Sequence, residues 1–502
     1  MITDQPDTRE TRSRRLQRLG VVFFVLALLA TLCGAYHLIE NWQGKKKWEV
    51  YKRQLVAQGV KLDLASFIPP PIPDEDNFAA SPFFAEVLPG PLPTNWNRWP
   101  KLINGLRPQT NAEKRNERHL TDLVAYQVAL RAYNRQDTNS VSGNRAEAAK
   151  ELIAAMKIYE PPRQELIAAS ARPRARYNIK YDLDNPWGIL VPHLGVIKQV
   201  CQDLSFKACA ELALRNNEQA MEDVRLMARL THSLDTELFL ITYMVKVACL
   251  QLLVQPIWEG LADGQWSVAQ LEELQGIMSE FNLVGDLVVP LGMEQAAGVL
   301  TGDILLKHKK KAELFNALFN GGTRSPFASL SVSMVPRGWF YLEQYNCARL
   351  FQQFIWPGFD PTNRIIEPQV SDQNAAKLNK LLTETKHPIF NHLFFATQLL
   401  PAVDKAQRRA AQAQTAAHEV TIACALERYR RKHGDYPGHL DALTPEFMKV
   451  VPHDVIGGKP MHYKAGKPFV LYSVGWDTKD NGGASGRMLW DDRGDWVWTY
   501  PQ

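Results

Sequence analysis

The chain has 502 residues, of which 45% are hydrophobic and 22% are charged. This composition is typical of folded protein and excludes a disordered, collagen-like or low-complexity chain. Lysine and arginine number 58 against 53 acidic residues, and the resulting net charge of +5 is too small to indicate a nucleic-acid-binding protein. The six cysteines include no C-x-x-C pair, which argues against a disulfide scaffold and against a zinc module.

The strongest signal is an uncharged apolar segment near the N-terminus. It runs from Leu19 to Tyr36, and its apolar character continues through Ile39. Because about 20 helical residues cross the roughly 30 Å core of a bilayer, we predict a transmembrane helix over residues 19–39, with the lipid bilayer as a partner. The arginines within residues 1–18 predict a cytoplasmic head, an inner-membrane location and an extracytoplasmic body. The alternatives are a lipoprotein signal at Cys33, which Leu32 before the cysteine makes a weak match, and a cleavable secretory signal peptide.

A juxtamembrane helix and a proline-rich spacer are expected over residues 40–110. The charged, amphipathic stretch from Lys45 to Gly59 predicts a short helix that leaves the membrane. Ten prolines follow between Pro69 and Pro108, and they exclude a long helix or a central strand there. Aromatic residues in the spacer favour packing against its own domain over a polyproline ligand for another protein. These residues are Phe78, Phe83, Phe84, Trp96 and Trp99.

Helical periodicity dominates residues 111–320 and predicts an α-helical body. The first periodic stretch runs from Glu113 to Arg135, and Ser267 with Gln270 has the form of a capping box. Residues 211–230 are similar to one tetratricopeptide-type helical hairpin. One copy leaves two arrangements open for the body, an irregular helical bundle and a solenoid.

Aromatic residues crowd the next region, residues 321–400. Tyr341 and Tyr345 are four residues apart, and Phe351 and Phe354 are three apart. Residues at this spacing are neighbours on one face of a helix. We therefore expect these rings to pack in a core rather than to stack on a ligand.

The last region, residues 401–502, changes character after an alanine-rich helix. Val403 to Gly434 predicts one long helix that ends at a glycine, and short strands separated by turns follow, including Phe469 to Gly475. The order of these motifs resembles the C-terminal domain of the major pseudopilins of bacterial type II secretion, over about residues 416–498. The resemblance implies a long helix packed on a small antiparallel sheet.

The complete chain also resembles large bacterial membrane-anchored proteins that carry this domain. The expected fold class is mainly α, with an N-terminal transmembrane helix, an irregular or solenoid-like helical body and a small α+β pseudopilin-like C-terminal domain.

The pseudopilin resemblance further implies a calcium ion in the loop after the strand. Asp477 falls at the family's first loop aspartate, Asp480 falls where the family often has an acid, and Asp491 or Asp492 closes the site. The carbonyl of Val474 is a further ligand. Independently, aspartates interleaved with glycines supply hard oxygen donors on a pliable backbone, as calcium requires. The alternative is a solvated acidic hairpin that holds no ion.

The chain also departs from the pseudopilin pattern. Trp476 replaces a small residue, the loop from Gly483 to Trp490 is longer, and the cleaved, methylated N-terminus is absent. We therefore do not expect assembly into a pilus.

None of the catalytic motifs that we considered is complete. Leu471 stands where a nucleophile elbow before Ser473 requires glycine, and Pro460 replaces the hydroxyl residue that a P-loop needs after Lys459. We therefore expect a membrane-anchored, extracytoplasmic structural or interaction protein whose partners are secretion or envelope proteins. The alternative is a periplasmic hydrolase whose active site carries no recognisable motif.

Overall fold

A computed structural model describes most of the chain, which is mainly helical in the described part. The described residues are 8–88, 90–91, 96–106, 118–138, 141, 143–308, 313–315, 335–387, 389–403, 405–486 and 493–500. The chain divides into two compact units. The first unit comprises Met1–Leu62, Ala296–Leu350 and Leu382–Leu399, and the second comprises Asp63–Gln295, Phe351–Leu381 and Leu400–Gln502.

The α-helices and strands of the described residues are numbered here in chain order. The helices are α1 (Thr8–Ala57), α2 (Pro82–Ala85), α3 (Leu123–Tyr133), α4 (Arg145–Ala155), α5 (Glu160–Ser170), α6 (His193–Ala213), α7 (Asn217–His232), α8 (Leu240–Ala262), α9 (Val268–Ser279), α10 (Leu283–Asp286), α11 (Val288–Lys307), α12 (Arg337–Leu350), α13 (Pro368–Glu384), α14 (Phe394–Leu399) and α15 (Ala406–His433). The strands are β1 (Phe359–Asp360), β2 (Ile365–Ile366), β3 (His462–Lys464), β4 (Val470–Ser473) and β5 (Trp496–Trp498).

Helix α1 is a single element of 50 residues. The segment predicted to span the membrane and the predicted juxtamembrane helix therefore form one continuous helix, since no proline interrupts the backbone hydrogen bonds between them. The large apolar side chains from Leu19 to Ile39 are exposed, whereas Trp48 and Leu55 are buried. One helix thus carries both an uncovered apolar segment and a segment that packs in a core.

Among the described residues, three helical segments are long and apolar enough to cross a membrane: Gln17–Ala57, Leu240–Ala262 and Val268–Lys307. The most apolar window of the first is 0% buried, whereas 61% of the corresponding window is buried in each of the other two. The N-terminal helix therefore fits a membrane span, as the hydropathy predicts.

The core of the first unit forms where α1 crosses α12. Trp48 and Leu55 of α1 pack with Val299 and Ala348, and Tyr51 meets Tyr345 edge to face with ring centroids 5.1 Å apart. A second cluster contains Trp339 and Phe340, which confirms that aromatic residues of this region pack in a core.

The proline-rich spacer packs against the helices of the second unit. Phe78, Phe83, Phe84 and Trp99 are buried, and Trp96 is partly buried. The Trp99 indole also donates a hydrogen bond of 2.8 Å to Asp203 on α6. These contacts confirm the prediction that the spacer covers its own domain.

In the helical body, α6 packs against α7 and α8. The predicted capping box is present at the start of α9, where Ser267 and Gln270 each accept the other's backbone N–H. The predicted periodic stretch from Glu113 to Arg135 starts in residues that lie outside the described part; from residue 118 onward, helix begins only at Leu123, the start of α3. The Asp122 side chain accepts the N–H of Ala125 and fixes the start there.

The C-terminal helix α15 is long, as predicted, and ends at Gly434, whose φ of +88° suits a glycine C-cap. It packs against α8 and α9, so it belongs to the helical body of the second unit. The antiparallel sheet has the order β3-β4-β5, with Leu471 of β4 opposite both Tyr463 and Trp498. Both β4 and β5 contact α15. The mainly α fold with a small C-terminal sheet is therefore confirmed.

Candidate functional site

The loop that follows β4 carries the predicted calcium ligands. Of these, Val474, Asp477 and Asp480 are described, whereas Asp491 and Asp492 lie outside the described residues. The loop turns sharply at Gly475, which has a φ of +68°.

The carboxylates of Asp477 and Asp480 accept hydrogen bonds from the loop itself. Asp477 accepts the N–H of Lys479 at 3.1 Å and that of Gly494 at 3.2 Å, so it ties the two ends of the loop together. Asp480 accepts the N–H of Gly482 at 2.8 Å and the Tyr472 hydroxyl at 3.1 Å. The N–H bond from Gly482 is the main cause that lowers the pKa of Asp480.

A buried aspartate that the sequence analysis did not select, Asp454, holds the start of the loop. Its carboxylate accepts the Ser473 hydroxyl at 2.7 Å and the N–H groups of Ile456 and Val474 at 2.9 and 3.1 Å. Burial raises the pKa of Asp454, and the three donors oppose that shift. Asp454 therefore orients the chain at Val474, one of the predicted ligands.

A second overlooked aspartate, Asp495, holds the far side of the loop. It is 2% exposed, and its two oxygens accept the N–H groups of Asn481 and Gly483 at 3.1 and 2.6 Å. In the sequence, Asp495 stands out only because it lies between Gly494 and the strand β5. That local pattern does not show which backbone amides will donate hydrogen bonds to the aspartate.

Trp476, the departure from the pseudopilin pattern, attaches the loop to α13. Its indole donates a 2.9 Å hydrogen bond to Asp372, and the Arg408 guanidinium lies 5.6 Å from the centre of its ring. The side chain is 5% exposed. A small residue at this position would leave the loop without this contact.

Among the described residues, no three His, Cys, Asp or Glu side chains gather closely enough to hold a metal ion. Asp477 and Asp480 therefore do not complete a calcium site with described side chains.

Two open clefts flank residues 449–453, with volumes of about 620 and 700 Å³. Volumes of this size are typical of ligand pockets. His418 lines the larger cleft, and its Nδ1 lies 3.0 Å from the carbonyl oxygen of His453, so Nδ1 carries the hydrogen. Burial lowers the pKa of His418 to about 4, which leaves the ring neutral at physiological pH. The Thr421 hydroxyl in the same cleft donates to the carbonyl of Ala417, within α15.

A serine, a histidine and a glutamate, the residue types of a hydrolase triad, meet in one buried cluster of the second unit. A hydrogen bond of 2.8 Å joins Ser233 Oγ to the Tyr177 hydroxyl. The His193 and Tyr177 rings stack with their centroids 4.3 Å apart. His193 Nε2 is 3.8 Å from Glu237, too far for a hydrogen bond. Burial lowers the pKa of His193 to about 3 and raises that of Glu237 to about 8. These side chains are at most 6% exposed, so the cluster is closed to substrate.

The chain matches no known protein family, no curated protein and no solved structure at a significant level.

Proposed function

We propose that this chain is a membrane-anchored structural or interaction protein whose folded body lies outside the cytoplasm. The observation that carries the proposal is α1, because the helix that exposes the apolar residues Leu19 to Ile39 continues into the core at Trp48 and Leu55. The anchor is therefore rigidly joined to the first unit, without an intervening flexible linker.

We propose a single span in the inner membrane. The burial of the Leu240–Ala262 and Val268–Lys307 windows supports this, since buried apolar helices serve as core elements of a soluble body. The arginine-rich head before Leu19 supports a cytoplasmic N-terminus.

Two arginines in the centre of the span are expected to abolish membrane retention. Leu26 and Leu29 are exposed on α1, and an arginine at the centre of a membrane helix costs about 2.5 to 3.5 kcal/mol. The unaltered protein should remain in the pellet after alkaline carbonate extraction, whereas the Leu26→Arg/Leu29→Arg variant should not. Leu190→Arg, at a similarly exposed leucine of the second unit, is the matched control and should behave like the unaltered protein. Release of the unaltered protein by carbonate would contradict the anchor.

We propose that the partners are secretion or envelope proteins. The pseudopilin resemblance supports the secretion link, and the two clefts beside residues 449–453 supply open surfaces for a partner. Purification from detergent-solubilised membranes separates this proposal from the hydrolase alternative. Stable co-purification with an envelope or secretion component, lost when the exposed Val450 is changed to arginine, favours interaction. A lone chain with hydrolytic turnover favours an enzyme.

Calcium binding by the C-terminal loop is a further part of the proposal. It is supported by the hydrogen bond from Gly494 to Asp477, which brings the chain after residues 487–492 back to a predicted ligand. A ligand that binds only the folded state stabilises it by about 1.4 kcal/mol at tenfold its dissociation constant. We therefore expect the full chain to melt at a higher temperature in calcium than in chelator.

Asp477→Asn should remove the difference between the two melting temperatures. Asp441→Asn, at an exposed aspartate away from the loop, should keep it. The full chain is used because α15 packs against α8 and α9. Coincident melting curves for the unaltered protein would show that the loop is a hydrogen-bonded acidic turn.

A further inference from the structure

The turn at residues 389–392, between α13 and α14, presents two apolar side chains to solvent. Phe390 is 77% exposed and Ile389 is 46% exposed. No other large apolar side chain of the described residues is as exposed as Phe390, and those that approach it are Phe23 and Leu38 on the membrane segment of α1 and Val450 in the second unit. A single exposed apolar side chain is common on a folded protein, so the argument for a contact here depends on where the turn lies.

The turn is held in place by α12 of the same unit. The Trp339 indole donates a 2.6 Å hydrogen bond to the carbonyl of Ile389, and the Asn346 amide donates a 2.8 Å bond to the carbonyl of His392. The His392 backbone also adopts a positive φ of +54°. These bonds fix the backbone on both sides of Phe390, so its exposure is built into the turn and does not come from a frayed chain end.

The turn lies where α1 leaves the predicted span. His392 Nε2 is 2.7 Å from Glu40 Oε1, and the Gly338 N–H donates a 2.7 Å bond to Asn41. Glu40 directly follows the apolar segment 19–39, which is about 31 Å long at 1.5 Å per residue and matches a bilayer core of about 30 Å. Phe390 is two residues from His392, so the backbones of the two residues lie within about 7 Å of each other.

The surroundings of this contact have the composition of a membrane interface. Trp42 is 64% exposed on α1, and the Lys46 ammonium lies 4.9 Å from the centre of its ring. Lys386 is exposed three residues before Ile389. Exposed aromatic residues with lysines beside them are typical of the headgroup region.

We propose that the turn at residues 389–392 is a second membrane contact, in which Ile389 and Phe390 enter the boundary between headgroups and acyl chains beside α1. Lys386 then meets the lipid phosphates. A lipid surface is the occupant that fits, because the turn is continuous with the exit point of the span through Glu40 and His392. The inference rests on the anchoring role of α1, and it adds that the first unit touches the bilayer at this turn.

The test places an environment-sensitive fluorophore (NBD) on Phe390→Cys in the full chain, reconstituted in nanodiscs of phosphatidylcholine and phosphatidylglycerol. Cys33 is replaced by serine beforehand, because it is exposed while the other five cysteines are buried. The matched control carries the label on Val450→Cys, at a valine of the second unit that is 75% exposed. Emission is then measured with iodide in the water and with nitroxides on the lipid acyl chains.

At residue 390 we expect blue-shifted emission, strong quenching by the lipid nitroxides and severalfold weaker quenching by iodide than at residue 450. Quenching by iodide alone at residue 390, in a chain that remains in the nanodisc, would overturn the second contact and leave the anchor intact. Shielding from both quenchers would mean that protein, such as a second copy, covers the turn, and would also overturn the proposal. A chain that fails to enter nanodiscs would overturn the anchor and this inference together.

Discussion

Replacing Asp223 by alanine is expected to destabilise the second unit by about 3 to 5 kcal/mol. Asp223 on α7 is 0% exposed and accepts hydrogen bonds from two cations. The Arg163 Nε lies 2.5 Å from one of its oxygens, and the Lys207 ammonium lies 2.9 Å from the other. Arg163 is itself 2% exposed and Lys207 is 8% exposed. Removing the carboxylate leaves two buried cations without the one buried carboxylate that they share.

The neighbouring residue supplies the control for this prediction. Glu222 also pairs with Arg163, but its side chain is 42% exposed. Glu222→Ala should cost less than about 1 kcal/mol, because an exposed ion pair is screened by water. Hydrogen exchange of α7 peptides measures both variants. An equal loss of stability in the two variants would contradict the claim that burial of the Asp223 carboxylate sets the cost of removing it.

Replacing Gly338 by alanine is expected to separate α12 from α1. A Cβ atom at Gly338 would lie less than 3.0 Å from the backbone carbonyl of Glu40, and a Cβ at Gly44 would meet the backbone of Gly338 in the same way. Backbone atoms cannot move aside as a flexible side chain can, so we expect the upper part of the usual overpacking cost, about 3 kcal/mol. Amides of α12 should then exchange roughly 100-fold faster, since 1.4 kcal/mol is a factor of ten.

Gly195→Ala on α6 is the control for Gly338→Ala, because a Cβ atom at Gly195 meets nothing within 4 Å. It should be neutral or stabilising, since alanine favours a helix more than glycine does. Membrane retention of the Gly338→Ala variant should not change, because the apolar segment of α1 is intact. Unaltered exchange of α12 would contradict the close helix crossing.

Features that depend on neighbours along the chain were predictable. The apolar span in α1, the capping box at Ser267 and the end of α15 at Gly434 each follow from residue types within one helix or one turn. The extent of α1 was less predictable, because charge patterning separated Lys45 to Gly59 from the span although the helical hydrogen bonds continue through both.

The loop after β4 marks the limit of such local patterns. The sequence singled out Asp477 and Asp480 because acidic residues stand among glycines there, and both do take part in closing the loop. The sequence analysis did not select Asp454, because its structural role depends on a hydrogen bond from Ser473, which is 19 positions away in the chain. An isolated aspartate looks the same in sequence whether it is solvated or buried.

By itself, the sequence determined that the chain is mainly helical, that its N-terminal helix is apolar enough to span a bilayer, and where several helices begin and end. Hydropathy and capping act over one to twenty residues, so these properties are readable without the fold. Only the tertiary structure decided that Arg163 meets Asp223 and that the turn carrying Phe390 stands beside Glu40. His392 and Glu40 are 352 positions apart, and their contact exists because α12 crosses α1 at glycines that let the two backbones approach.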